Sequence, residues 1–195
     1  MVAPLTSEDH KTLLHLAREA VVETAQGNPL PPLDREQLPE RLLTCAATFV
    51  TLTRRGGLRG CIGALQAQLP LVEDVREHAR AAACEDYRFV PVTREEVPEI
   101  EIEISVLSEP RRLEFTRPED LLTLLRRGVD GVILVSGLYR ATFLPQVWEK
   151  VPGAETFLSM LSEKAGLSPS AWRKPGIEIF TYQVESFHEA QAHPV

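Results

Sequence analysis

Residues 46–63 read AATFVTLTRRGGLRGCIG, and the reading of this stretch decides the class of fold. Ala46 to Thr53 is rich in β-branched residues, Arg54-Arg55-Gly56-Gly57 has the composition of a tight turn, and Leu58 to Gly63 resumes an extended run. The segment predicts a β-hairpin. Upstream, Thr6 or Ser7 caps a helix whose apolar residues Leu13, Leu16, Ala17, Ala20 and Val21 recur at helical spacing, until Asn28-Pro29-Leu30-Pro31-Pro32 ends it. Pro29 to Pro39 then reads as a surface crossing. Downstream, Pro70 starts a helix through about Ala83 with Val72, Val75 and Ala79 on its inner face. Ile100, Ile102, Ile104 and Val106 alternate with Glu101, Glu103 and Ser105, which predicts a strand with one buried and one wet face, stopped by Pro110.

The second half repeats this order. Pro118 to Arg127 reads as a helix closed by Gly128, Gly131 to Val135 and Leu138 to Leu144 as a second hairpin, Ala154 to Ala165 as a helix closed by Gly166, and Ile177 to Val184 as the last strand. The tail Glu189 to Val195 reads as frayed. Helices and antiparallel hairpins without βαβα alternation predict an α+β fold. The expectation is one domain over residues 1–195, made of duplicated αββαβ units, 7–110 and 118–187, packed as a larger and a smaller subdomain.

The composition narrows the function classes. With 44% hydrophobic residues the chain can bury a core, and it has no apolar run near the roughly 20 residues of a membrane span. Met1 to Asp9 lacks a leader's basic and apolar regions, so the expected location is the cytoplasm. A net charge of −7 repels phosphate backbones, which weighs against nucleic acid as a partner. Arg54-Arg55, Arg59 and Arg111-Arg112 are short clusters that read equally as solvated turns. Cys45, Cys61 and Cys84 are odd in number and widely spaced, which fits free thiols in a reducing compartment rather than a disulfide framework or a zinc site.

Cys61 lies between Gly60 and Gly63, and a strand glycine marks a bulge or the close approach of a backbone or ligand, leaving room beside the thiol. Two readings follow: a catalytic or redox thiol, which needs a neighbouring cation, histidine or helix N-terminus, or a small packing residue. Gly57, Gly60 and Gly63 form GxxGxxG but lack a phosphate loop's lysine and do not open a helix. Cys45 and Cys84 read as core residues. Glu85 or Asp86 either orients an arginine, Arg59 or Arg88, or ends the helix in solvent. Asp74 and His78, four apart on one helix, read as a solvated face rather than a metal site, so no metal ligands are assigned. His10, His15, His188 and His193 read as peripheral. In the second half, Arg140 and the Pro145-Gln146 turn occupy the place of the cysteine stretch, with Phe143 and Trp148 as core anchors.

Six ordered motifs run along the chain: LRGCIG at 58–63, AxxEDxRFxP at 82–91, EIEISVLSxP around 101–110, GxDG at 128–131, RATFLPQVW at 140–148 and FLxxLxxKAGL at 157–167. Taken together, these segments resemble the AMMECR-domain family, protein A of the AmmeMemoRadiSam system. Cys84 stands where the family commonly has phenylalanine and Tyr87 where it commonly has proline, which argues that Cys84 packs. The resemblance implies an α+β fold of a larger and a smaller subdomain. Through the system's name it implies Memo-like or radical-SAM proteins as partners, and it supplies neither a reaction nor a cofactor.

Three functions compete. In the first, an accessory protein binds a small anionic molecule in a cleft beside the LRGCIG stretch, lined by Arg59, Gly60, Gly63, Arg88, Phe89, Arg140, Pro145 and Gln146. The second is an enzyme with Cys61 as the catalytic thiol. The third is a docking module without chemistry, marked by an exposed apolar patch.

Overall fold

The computed structural model describes residues 5–189. The helices are α1 (Ser7–Gln26), α2 (Leu71–Cys84), α3 (Leu121–Leu124) and α4 (Ala154–Lys164). The strands are β1 (Ala47–Arg54), β2 (Gly57–Gly63), β3 (Ile100–Leu107), β4 (Arg111–Arg112), β5 (Gly131–Ser136), β6 (Tyr139–Phe143), β7 (Glu178–Tyr182) and β8 (Val184–His188). They form two four-stranded sheets, ordered β2-β1-β3-β8 and β4-β7-β5-β6. Each sheet places the first strand of a hairpin between its partner and a later strand, β2-β1-β3 in one and β6-β5-β7 in the other. The αββαβ unit thus occurs twice in an α+β chain. The fourth strand of each sheet, β8 or β4, comes from outside its unit.

The chain divides into two compact units: residues up to Leu107 together with those from Glu185, and Ser108–Val184. In the first, Val50, Leu52, Ile102 and Ile104 turn to the face covered by Leu13, Ala17, Val72, Val75 and Ala79 of α1 and α2, as the period-2 and period-3.6 patterns require. In the second, Val132, Leu134 and Ile179 pack with Phe157, Leu158, Leu161, Trp148 and Trp172.

The ends of α1 follow the capping rules. Thr6 accepts from Asp9 N–H (3.2 Å) while the Asp9 carboxylate accepts from Thr6 N–H (2.7 Å), and Gly27 closes the helix in the left-handed region (φ 76°). Asp9 is buried and also accepts from Arg41 Nε (2.6 Å), which draws its pKa down to about 2.

Four expectations are corrected. The helix expected over 118–127 is a 3-10 turn at Pro118–Asp120 followed by the single turn of α3, because the Asp130 carboxylate accepts from Arg126 N–H (2.8 Å) and draws the chain into a turn. The strand expected over 177–184 is β7, which ends at Tyr182; after Gln183 a further strand that was not expected, β8, starts at Val184 and joins the other sheet. Glu189 is not frayed: its carboxylate takes Arg18 and the Ile102 N–H (3.2 Å), and its own N–H reaches Ile102 O (3.0 Å). The rest of that tail, with His193, and residues 1–4 at the other end lie outside the described residues. Cys45, expected in the core, is exposed. No helix among the described residues is long and apolar enough to cross a membrane.

Candidate functional site

The cysteine stretch forms β2, an edge strand paired with β1 so that Cys61 faces Thr51. Its glycines answer to packing. A Cβ on Gly60 would collide with the Ala82 carbonyl near the end of α2, and one on Gly63 would collide with the Phe49 ring and Thr48 O. The register also shifts between Leu52 and Thr53. The space expected beside Cys61 is therefore taken, at both glycines, by the protein itself.

Cys61 is half-buried, and its Sγ accepts from Thr51 Oγ1 at 3.4 Å. Its backbone N–H points away from β1 and donates to Asp86 Oδ2 (2.9 Å), while its carbonyl accepts from Arg88 Nη2 (3.5 Å). Asp86 and Arg88 thus satisfy the open edge of the sheet where a further strand would otherwise pair. Asp86, expected either to orient an arginine or to end a helix in solvent, is 5% exposed. It accepts from Arg88 Nε (2.9 Å), Arg88 Nη2 (2.7 Å) and Arg88 N–H (3.2 Å) as well as from Cys61. The hydrogen-bonded guanidinium outweighs burial and holds this carboxyl well below the usual carboxylate range. Arg88 is shifted the other way, first by Asp86, with Cys61 among the nearby groups that help keep it protonated.

Arg88 remains 44% exposed in its side chain, with its Nη1 unused among the described residues. Its guanidinium lies 5.5 Å from the centroid of the Phe89 ring, and that of Arg59 lies 5.9 Å from the same ring. Arg59 itself is committed elsewhere. Its Nε and Nη2 fork onto Glu96 (3.0 and 2.9 Å), and Nη2 also reaches Pro91 O (3.3 Å). Glu96 accepts further from Arg54 Nη1 (2.8 Å) and Thr93 N–H (3.0 Å), and the Arg59 fork is the main reason its pKa falls to about 2. Arg54 and Arg55 also bind Glu99, so this cluster is an ion-pair network rather than a solvated turn.

Of the predicted site residues, Arg59, Gly60, Cys61, Gly63, Arg88 and Phe89 belong to the first unit. Arg140, Pro145 and Gln146 belong to the second. Arg140 is exposed on β6 and makes no ion pair among the described residues, Pro145 is buried and Gln146 exposed. Trp148, 1% exposed, stacks on Phe157 (3.8 Å between centroids), and its Nε1 donates to Asp130 O (2.7 Å).

A family model described as AMMECR1 matches residues 14–187. The chain belongs to the AMMECR1 family. A protein of Methanothermobacter thermautotrophicus is 39% identical over 192 residues, covering 96% of this chain and 97% of that one. One of Methanocaldococcus jannaschii is 38% identical, covering 96% and 93%. The crystal structure of an uncharacterized protein from Pyrococcus horikoshii superposes with a TM-score of 0.83 at 34% identity, covering 95% of this chain and 93% of that one.

In this AMMECR1 chain the motifs read from sequence divide by role. The GxDG stretch holds Asp130, 3% exposed and forked by Arg126, while Arg127 donates to the carbonyls of Trp148, Val151 and Pro152. Both serve the second unit's architecture. Missed from sequence were Thr51, Glu96 and the environment of Asp74. Asp74, expected on a solvated face, is 3% exposed and accepts from Thr48 Oγ1 (2.6 Å), with His78 Nδ1 3.1 Å away. Thr48 carries the only local signal for this, a hydroxyl at a core-facing position of β1. Among the described residues no group of three or more His, Cys, Asp or Glu is placed to hold a metal.

Proposed function

We propose that this AMMECR1-family protein binds a small anionic molecule, with Arg88 as the cation that meets it and Cys61 at its side. The observation that carries this reading is the state of Arg88. A buried carboxylate and an aromatic ring fix its guanidinium, yet nearly half the side chain faces solvent with donors unspent. An arginine held in this way meets an oxyanion without first losing rotamer freedom. Arg59, spent on Glu96, is not available for that work, and Arg140 is the second candidate cation because it has no ion pair among the described residues. The reading with Cys61 as nucleophile has less support, since Thr51 is the one described residue bonded to its sulfur and a hydroxyl is not a base strong enough to generate a thiolate.

The test is calorimetric titration with pyrophosphate and with short dicarboxylates, for wild type, Arg88→Gln and Cys61→Ser. Saturable binding that survives Cys61→Ser and is lost in Arg88→Gln supports the proposal. Titrations without heat of binding, or binding unchanged in Arg88→Gln, overturn it.

A docking role toward Memo-like or radical-SAM proteins is favoured by a separate observation. Tyr87 is 95% exposed and Val90 76%, in the loop that carries Arg88. A Tyr87→Ser/Val90→Ser variant that co-purifies with such a partner as well as wild type does would sink this reading.

A further inference from the structure

One charged residue of the first unit takes no part in any of these networks. Arg76, on α2, is 7% exposed, and among the described residues its buried Nε has no hydrogen-bond partner. Its one hydrogen bond to a described residue runs from Nη2 to the carbonyl of Pro31, in the proline-rich crossing between α1 and β1. Every carboxylate along this part of α2 is committed elsewhere: Glu73 to Arg35, Glu77 and Glu85 to Arg80, and Asp74 to Thr48 and His78. Among the described residues Arg76 has no ion pair.

A guanidinium cannot shed its proton, so it cannot escape burial by becoming neutral. Leaving it unpaired is strongly unfavourable, and one neutral carbonyl meets only one of its five donors. A purely structural side chain at this place would be better apolar.

We propose that Arg76 is the anchor of a second anion site, for a small oxyanion that presents phosphate or carboxylate oxygens to Nε and Nη1 beside Pro31. The site stands apart from Arg88, on a different element and with different partners. An oxyanion bound there supplies both the missing charge and the missing acceptor, and it ties α2 to the crossing above it.

The test is thermal unfolding in sodium chloride and then in sodium phosphate or sodium acetate at matched ionic strength, for wild type, Arg76→Met, Arg76→Lys and Arg88→Gln. At about a hundredfold excess over the dissociation constant, the midpoint of wild type rises by about 5–10 °C with phosphate or with acetate, and whichever acts names the ligand chemistry. The rise persists in Arg88→Gln, is reduced in Arg76→Lys and vanishes in Arg76→Met. In chloride alone Arg76→Met is at least as stable as wild type, since methionine fills the space without an unpaired charge. A saturable rise that persists in Arg76→Met, or is lost in Arg88→Gln, overturns the proposal. So does a wild type indifferent to both anions, which needs no variant to fold.

Discussion

Gly60 lies in the middle of the most recognisable motif of the chain, yet what it faces is the carbonyl of Ala82. The helix end comes so close to the strand that no β-carbon fits between them, and the obstacle is backbone, which cannot rotate aside. Gly60→Ala should therefore destabilise the protein by about 1–3 kcal/mol, toward the upper end of that range. Gly57→Ala, whose new carbon would meet only Arg54 O at an ordinary 3.5 Å, should stay within about 0.5 kcal/mol of wild type. Urea unfolding followed by circular dichroism measures both, and equal effects would mean that the helix end gives way at Gly60. The close approach places α2 against β2 just before the chain turns out to Asp86 and Arg88. The glycine's contribution to the candidate site is thus indirect. From sequence the glycines promised either a bulge or a close neighbour, and both are present. Which backbone was the neighbour depended on Ala82, 22 residues away, and no local pattern encodes that distance.

The edge of β2 shows what elements add to single residues. An edge strand offers unpaired N–H and C=O groups, and here the segment after α2 covers them with side chains in place of a strand. Asp86 and Arg88 meet Cys61, and Glu96 forks with Arg59. Glu96 titrates near 2 in the folded protein, chiefly because of Arg59, against an ordinary value of 4.5. A lowered carboxylate pKa means that the unfolded state binds the proton first. The stabilisation is complete above about pH 4.5 and is lost as the pH falls through 2. Glu96→Gln should lower stability at neutral pH and flatten the acid limb between those values by up to one proton. Free energies of urea unfolding across pH 2–6 test this, and parallel profiles for the two proteins would show that the fork contributes nothing. Each hairpin and long helix was legible in sequence, because alternation and helical spacing are local consequences of burial on one side. The pairing of Arg59 with Glu96 was not, since both are unremarkable surface residue types until the topology brings them together. β8 was missed for a similar reason: residues 177–188 are a nearly continuous extended run, and only the sheet each part joins separates β7 from β8.

At the scale of the whole molecule, the second unit is an insertion. Residues 108–184 leave the first unit after β3 and return to it at β8, and the two ends of the insertion are bonded to each other: Ser108 N–H donates to Gln183 O, and Gln183 N–H to Ser108 Oγ, both at 2.9 Å. The insertion has its own sheet and its own cluster of buried residues. Nothing in its strand order borrows a strand from the first unit, so the segment carries what a small domain requires, although at this length the margin is narrow. A fragment spanning residues 108–184 should accordingly fold alone. Both tryptophans of the chain lie within it and are 1% and 0% exposed, which makes their emission a direct report on this core. The expected result is a fragment whose emission is as blue-shifted as that of the intact protein and whose thermal transition is cooperative. A fragment with solvent-exposed tryptophan emission and no transition would mean that the insertion depends on the first unit for its fold. Unfolding of the intact chain should then show one transition by tryptophan emission and by the helical signal, which comes mainly from α1 and α2. If the fragment does fold, those two probes are expected to separate. That separation would identify the duplicated αββαβ unit as the folding unit, rather than the chain as a whole.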